Sequence, residues 1–167
     1  RERFEPGNPQ EGYSPSPQER QSWLQISYMK EAYHTMGPKF TLGWMAEALY
    51  SSKNFSENYT ATMMQAGEFA PTPHSKLMYN EAFRANQYVA AGIKPIYVLN
   101  DMFQFRTEFY GFTPIFPIKK NALNKAYYGK AFSRFEYMGE VSVICHLPFG
   151  AISAYVNHYS SPRREWN

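Results

Sequence analysis

The chain has 167 residues, the length of one ordinary domain. Its 17 Lys and Arg against 14 Asp and Glu leave a formal net charge of +3, too small a surplus to indicate a nucleic-acid partner. Aromatic residues make up 18%, which excludes disorder for most of the chain, and a lone Cys145 excludes a disulfide scaffold. Because no apolar run approaches the roughly 20 residues of a transmembrane helix, two architectures remain: a soluble all-β domain, or a β-barrel with lipid as its outer solvent.

Residues 1–20 contain four Pro and two Gly without hydrophobic periodicity, which predicts a linker or strap. The capping-box spacing of Ser16 and Glu19 leaves a helix start open as an alternative. We favour a strand over residues 22–36, because Ser, Tyr, Ile and Thr are frequent there and the next segment is plainly a strand. Residues 21–167 are therefore predicted to form one β domain.

The segment from Pro38 to Ser51 alternates with a period of two, which predicts a strand with two unlike faces. Phe40, Leu42 and Trp44 fall on one face, and Glu47 falls on the other. A strand of a dozen residues is longer than the 5–6 residues usual in soluble sheets.

Segments 85–99 and 102–111 are predicted to form a hairpin. A two-residue loop would place apolar residues opposite charged ones, whereas a three-residue loop from Asn100 to Met102 matches like faces and opposite charges. The three-residue loop pairs two residues of each strand: Lys94 with Glu108, and Tyr97 with Phe105.

A further long strand is predicted from about Phe132 to Leu147. The same test at Phe149-Gly150 favours a two-residue loop into a last strand. This choice puts Ile152, Ala154 and Val156 on the same face as Val141 and Val143.

The connections predict that tight turns and long loops alternate between the two ends of the strands. Short turns fall near residues 37, 101 and 149, while 52–84 and 112–130 are long, which is the layout of outer-membrane barrels. We expect an all-β, antiparallel up-and-down meander of six long strands, or eight if Tyr59 to Gln65 and Lys76 to Tyr79 are also strands. The Pro-rich stretch 70–76 is interpreted as a rigid surface crossover rather than a plug.

The two parities of the strands predict two different environments. In a membrane barrel one face would contact lipid and the other would line the lumen; in a soluble sandwich the apolar face would be covered instead. The candidate lumen charges are Glu47, Lys94, Arg106, Glu108, Arg134, Glu136 and Glu140. The candidate lipid-facing residues are Phe40, Leu42, Trp44, Phe103, Phe105, Phe109, Phe135, Tyr137, Val141 and Val143. Aromatic residues suited to interface girdles are Trp44, Tyr50, Tyr88, Tyr97, Tyr127, Tyr128, Tyr155 and Tyr159.

The sequence contains no recognised catalytic motif. We find no G-x-S-x-G, P-loop, G-x-G-x-x-G or H-E-x-x-H pattern. Glu136 and Glu140 share a face but lie about 13 Å apart along a strand, too far for a catalytic carboxylate pair. Cys145 is predicted to be an inert thiol on the apolar face. We therefore expect no catalytic residue, no cofactor and no metal site in this chain.

Four blocks of sequence resemble a known family. They are Asn58 to Thr62, Phe69 to Ser75, Asn80 to Gly92 and Glu108 to Phe112. Together they resemble the C-terminal outer-membrane β-barrel region of Bacteroidetes-type patatin-like phospholipases, over most of residues 22–167.

The resemblance implies a location, partners and an attached enzyme. In such proteins an N-terminal patatin domain hydrolyses lipid acyl esters with a Ser–Asp dyad, whose Ser lies in a G-x-S-x-G motif absent from this chain. The implied role is to anchor or export that attached lipase domain in the bacterial outer membrane, with membrane lipid as partner and no nucleic acid. On this comparison we expect the chain to lack the final strand that closes the barrel. The alternative is a soluble all-β lipid- or ligand-binding module.

Overall fold

The computed structural model describes residues 22–160, so the predicted linker over 1–20 and the end of the chain lie outside the described residues. Six long strands form one antiparallel sheet, and each pairs with the next long strand along the chain. The long strands are β1 (Gln25–Thr35), β2 (Phe40–Ser51), β5 (Gln87–Val98), β6 (Phe103–Pro114), β9 (Glu136–Leu147) and β10 (Gly150–Tyr159). The predicted all-β meander of six long strands is confirmed.

The short strands and helices lie in the long connections. The connection from β2 to β5 contains helix α1 (Tyr59–Gln65), strands β3 (Gly67–Glu68) and β4 (Arg84–Ala85), and 3-10 turns at Ser75–Leu77 and Glu81–Phe83. The connection from β6 to β9 contains the hairpin of β7 (Ile118–Lys120) and β8 (Ala126–Tyr128). Both long connections leave from and return to the same end of the six strands, which confirms the predicted alternation of tight turns and long connections.

The prediction of strands within residues 52–84 is wrong at both proposed places. Residues 59–65 form a helix because the Asn58 side chain caps it, accepting a hydrogen bond from the Ala61 amide at 2.8 Å. Thr62, Met63 and Ala66 are buried together, which is the spacing of one helix face rather than of a strand. The second place contains a 3-10 turn.

The register of the hairpin between β5 and β6 is as predicted. Tyr97 pairs with Phe105 and Ile93 with Phe109. This register places Lys94 opposite Glu108 on the neighbouring strand and leaves a three-residue loop. A one-residue slip would have exchanged the two faces of both strands.

The last turn has two residues, as predicted, but begins one residue earlier than expected. Gly150 pairs with Leu147, so the loop is Pro148-Phe149. The predicted faces are nevertheless confirmed. A shift of the loop by one residue changes the pairing register by two residues, and side chains two residues apart point to the same face. Three apolar pairs share the face: Ile152 with Cys145, Ala154 with Val143, and Val156 with Val141.

The core lies on one face of the sheet, here called the inner face. Residues 66–85, here called the interior segment, fold back over it and insert Phe69 and Phe83 among strand residues. The Phe69 ring lies 5.8 Å from that of Phe112, 6.0 Å from Tyr110 and 6.1 Å from Tyr88.

The interpretation of residues 70–76 as a surface crossover is only partly right, because Pro73 and Lys76 are exposed whereas Thr72 and Ser75 are buried against the inner face. Thr72 and Ser75 each donate the backbone amide to the side-chain hydroxyl of the other, and these two hydrogen bonds close a compact turn. The stiffness that the two Pro residues give this stretch fits a segment held in one place on the sheet.

Within residues 22–160 the six-stranded sheet is open, with β1 and β10 as its two edges. Each edge strand is paired along one side over ten residues or more. No helix in the described part of the chain is long and apolar enough to cross a membrane.

Candidate functional site

The face opposite the interior segment, here called the outer face, is apolar and exposed. Adjacent residues show the contrast: Phe109 is 49% exposed and Tyr110 0%, while Val141 is 43% exposed and Glu140 7%. Along these strands exposed apolar residues lie next to buried charged ones, which is unusual for a protein in water, because burial favours apolar side chains and burial of charge is costly.

All ten residues predicted to face lipid are on the outer side of the sheet or directly before a strand that continues it. Seven of them are exposed: Phe103, Phe105, Phe109, Phe135, Tyr137, Val141 and Val143. Phe40, Leu42 and Trp44 share the face but are half-buried. The Trp44 indole donates to His34 Nε2 at 3.3 Å and has the Lys30 ammonium 5.7 Å from its ring centroid, so neighbours on β1 partly cover it.

The predicted aromatic girdle is only partly on the outer face. Tyr97 is exposed there, and Tyr127 and Tyr128 are exposed on β8. Tyr88, Tyr155 and Tyr159, in contrast, belong to the inner parity, and Tyr88 is fully buried. The prediction is wrong for these three because it used nearness to a strand end and ignored which way each position points.

The residues predicted to line a lumen are on the inner side. Lys94, Glu108, Glu136 and Glu140 are buried, and the other three are half-buried: Glu47, Arg106 and Arg134. Buried charges require partners, and the structure supplies them for most of this set.

Both oxygens of the Glu108 carboxylate have partners. Arg106, two residues earlier on β6, forms an ion pair with one of its oxygens, and the Tyr110 hydroxyl donates to the other. Glu136 is held in a similar way, by Arg134 Nε at 2.7 Å and by the Ser160 hydroxyl at 2.6 Å.

Lys94 forms an ion pair with a residue that was not among the predicted lumen charges. Although it lies opposite Glu108, its ammonium forms an ion pair with Glu31 of β1, two strands away across Gly43 of β2. The Tyr33 hydroxyl donates to the same Glu31 oxygen at 2.6 Å. The parity of β1 could have placed Glu31 on this face, but its partner depends on the missing side chain at Gly43.

Glu140 is the exception among the inner carboxylates. It pairs directly with Glu108 across β6 and β9, so two buried carboxyl groups are neighbours. Its Oε2 has no hydrogen-bond partner among residues 22–160. The sequence predicted Glu136 and Glu140 to be too far apart to act together. The carboxylate opposite Glu140 belongs instead to Glu108 on the neighbouring strand.

The interior segment is fixed to the inner face by polar contacts as well as by aromatic packing. Arg84 forms an ion pair with Glu68 across β3 and β4. The Tyr88 hydroxyl contacts the Glu68 carbonyl at 3.2 Å and donates to Glu47 at 2.6 Å. On the far side, His74 Nδ1 lies 2.9 Å from the Tyr159 hydroxyl on β10.

The α1 helix is tied to the same segment. The Tyr59 hydroxyl donates to Glu81, and burial together with this bond raises the pKa of Tyr59 above its ordinary value. The phenol therefore keeps its proton even in mildly alkaline solution and acts as a structural hydrogen-bond donor to Glu81.

No three His, Cys, Asp or Glu side chains in residues 22–160 come together as they would in a metal site. Cys145 is half-buried on the outer face. The arrangement therefore offers contact surfaces and a charged interior, and the described residues show no metal centre.

Comparison with known proteins adds no relative. No protein-family model matches the chain, and no curated protein and no solved structure is significantly similar to it.

Proposed function

We propose that this chain is the outer-membrane β-barrel portion of a patatin-like phospholipase, and that it anchors or exports an attached lipase domain. One observation supports membrane insertion: the exposed face of the sheet is apolar, while its buried face holds Lys94, Glu108, Glu136 and Glu140.

The outer face has a physical cost in water. Each large apolar side chain left exposed forgoes about 1.5–3 kcal/mol of burial free energy. Single exposed apolar residues are normal, but a continuous exposed patch marks a contact surface. Acyl chains match this face without requiring a second protein layer.

The dimensions of the strands agree with a membrane wall. The six long strands have 10 to 12 residues each, and a tilted transmembrane β-strand needs about 9–11. Tight turns at one end and long connections at the other are the layout of outer-membrane barrels.

The attached lipase is supported by the sequence resemblance alone. Of its four blocks, Phe69 to Ser75 and Asn80 to Gly92 cover most of the interior segment and the start of β5. The role of this chain is then passive: the outer face inserts into lipid, and the interior segment fills the inner side.

Solubility tests the membrane part. The chain is refolded with and without a mild detergent, and its state is measured by circular dichroism and analytical ultracentrifugation. We expect a monodisperse β-rich species with detergent and aggregation without it. A folded monomer in plain buffer would overturn the proposal and favour the soluble all-β ligand-binding module.

The coding sequence upstream of Arg1 tests the lipase part separately. We expect it to encode a patatin domain with a G-x-S-x-G motif, and conversion of its Ser to Ala should abolish acyl-ester hydrolysis while leaving membrane insertion intact. An upstream sequence without that motif would remove the lipase from the proposal and leave the membrane segment.

A further inference from the structure

The two long connections differ sharply in charge. Residues 115–135 contain five cationic residues and no acidic one, whereas residues 52–86 contain three of each sign. The five are Lys119, Lys120, Lys125, Lys130 and Arg134. Since the whole chain has a formal net charge of +3, the residues outside this connection are net negative, and the positive surplus of the chain lies between β6 and β9.

Four of these cations are free to bind another molecule. Arg134 is already paired with Glu136. The four lysines are exposed, and within residues 22–160 none of them lies within 4.0 Å of a carboxylate oxygen. Repulsion among these lysines destabilises the folded chain. A bound anion would reduce that repulsion.

The hairpin that carries these lysines, here called the basic hairpin (117–130), is held in a fixed position. Ile118 is buried against α1, and the Tyr59 amide donates to the Asn124 carbonyl at 2.8 Å. The Asn86 side chain donates to the Tyr128 hydroxyl at 3.1 Å. A fixed scaffold lowers the entropy lost when the lysines bind a ligand.

The basic hairpin also adjoins the apolar outer face. It emerges from β6 and returns to β9, two strands whose outer residues are exposed. Phe116, Tyr127 and Phe132 are exposed in the same connection. Aromatic residues with lysines next to an apolar band are typical of the level where acyl chains give way to headgroups.

We propose that the basic hairpin binds anionic lipid headgroups in the leaflet at the long-connection end of the strands. This inference rests on the proposed membrane insertion, and it adds a preference for anionic over zwitterionic lipid. The lysines supply the charge, and the flanking outer face holds the acyl chains of the same lipid molecules.

Lipid competition in detergent tests the preference. The full chain, folded in a non-ionic detergent, is mixed with equal amounts of phosphatidylglycerol and phosphatidylcholine, and bound lipids are counted by native mass spectrometry. We compare K119Q/K120Q with the control K39Q/K76Q, which removes the same charge from two exposed lysines outside the hairpin. Thermal melting confirms that both variants are folded.

We expect the unmodified chain and the control to bind phosphatidylglycerol in clear excess. Each lysine removed from the hairpin should lower that excess about fivefold. Equal binding of both lipids by the unmodified chain, or an equal loss in both variants, would overturn the inference while leaving the membrane proposal standing. Full displacement of the lipid by equimolar inorganic phosphate would show a free-phosphate site and overturn the assignment to lipid. A chain that is folded only without detergent would instead contradict the proposed function itself.

Discussion

The outer face of the six strands is apolar and largely exposed, whereas the inner face combines apolar core residues with buried charged groups. Phe109 and Tyr110 are neighbours in sequence, yet the first is half-exposed and the second is fully buried beside the Glu108 carboxylate. Hydrophobicity alone does not decide burial in these strands. Burial also depends on which side the interior segment covers, and most charged groups on that side have specific partners there.

The largest difference between the two faces is expected where the interior segment packs against the strands. Phe69→Ala removes a fully buried ring that contacts Phe112, Tyr110 and Tyr88. We expect a loss of about 3–5 kcal/mol in the free energy of unfolding, measured by urea titration in detergent. Phe105→Ala, on the outer face, is the matched control and should cost much less, since detergent or lipid fills the space. Equal losses would show that the two faces have equivalent environments.

The outer face can be tested with a charge. Phe109→Arg places a cation near the middle of β6 on the exposed side, and we expect about 2–4 kcal/mol of destabilisation in phosphatidylcholine vesicles. Phe109→Leu keeps the face apolar and should change the free energy of unfolding by far less. If the Arg variant inserts and unfolds like the Leu variant, this face does not contact lipid.

The inner carboxylates provide a finer comparison. Glu108→Gln leaves the partly buried Arg106 without its charged partner, and we expect a loss of about 1–3 kcal/mol. Glu140→Gln should be neutral or stabilising, because it ends the repulsion from Glu108 and an oxygen of Glu140 has no partner among residues 22–160.

Thermal unfolding of both single variants and of the double variant measures this difference. We expect the double variant to be no more stable than Glu108→Gln alone, since Glu108→Gln has already removed the repulsion that Glu140→Gln would relieve. A large loss from Glu140→Gln would mean that this carboxylate has a favourable partner.

The smallest expected effect concerns the contact between the interior segment and β10. Tyr159→Phe deletes the hydroxyl that lies 2.9 Å from His74 Nδ1 and should cost about 1 kcal/mol. Faster hydrogen exchange of amides 69–77 would report the loosened segment. Tyr155→Phe is the control, because its ring lies 5.8 Å from that of His74 and makes no hydroxyl contact with it. Unchanged exchange in Tyr159→Phe would show that aromatic packing alone holds the segment.

Much of the sheet could be predicted because its signals are local. Period-two alternation, residue composition and turn positions together predicted the six long strands, and matching Lys94 with Glu108 and Tyr97 with Phe105 gave one register correctly. The same parity separated the ten outer residues from the seven inner charges. The prediction failed at residues 59–65, which were assigned as a strand. The Asn58 cap is a local signal for a helix that was overlooked there, whereas the packing of Met63 against Ile118 joins residues far apart in the sequence.

By itself, the sequence determined the strands, their two faces and the alternation of tight turns with long connections, because alternation and turn residues act over a few neighbours. Only the tertiary structure decided that the interior segment covers the charged face. It also decided that Lys94 binds Glu31 rather than Glu108, and that Glu140 faces another carboxylate. These outcomes join residues 32 to 85 positions apart, and side chains brought together by the folded sheet leave no periodic trace along the chain.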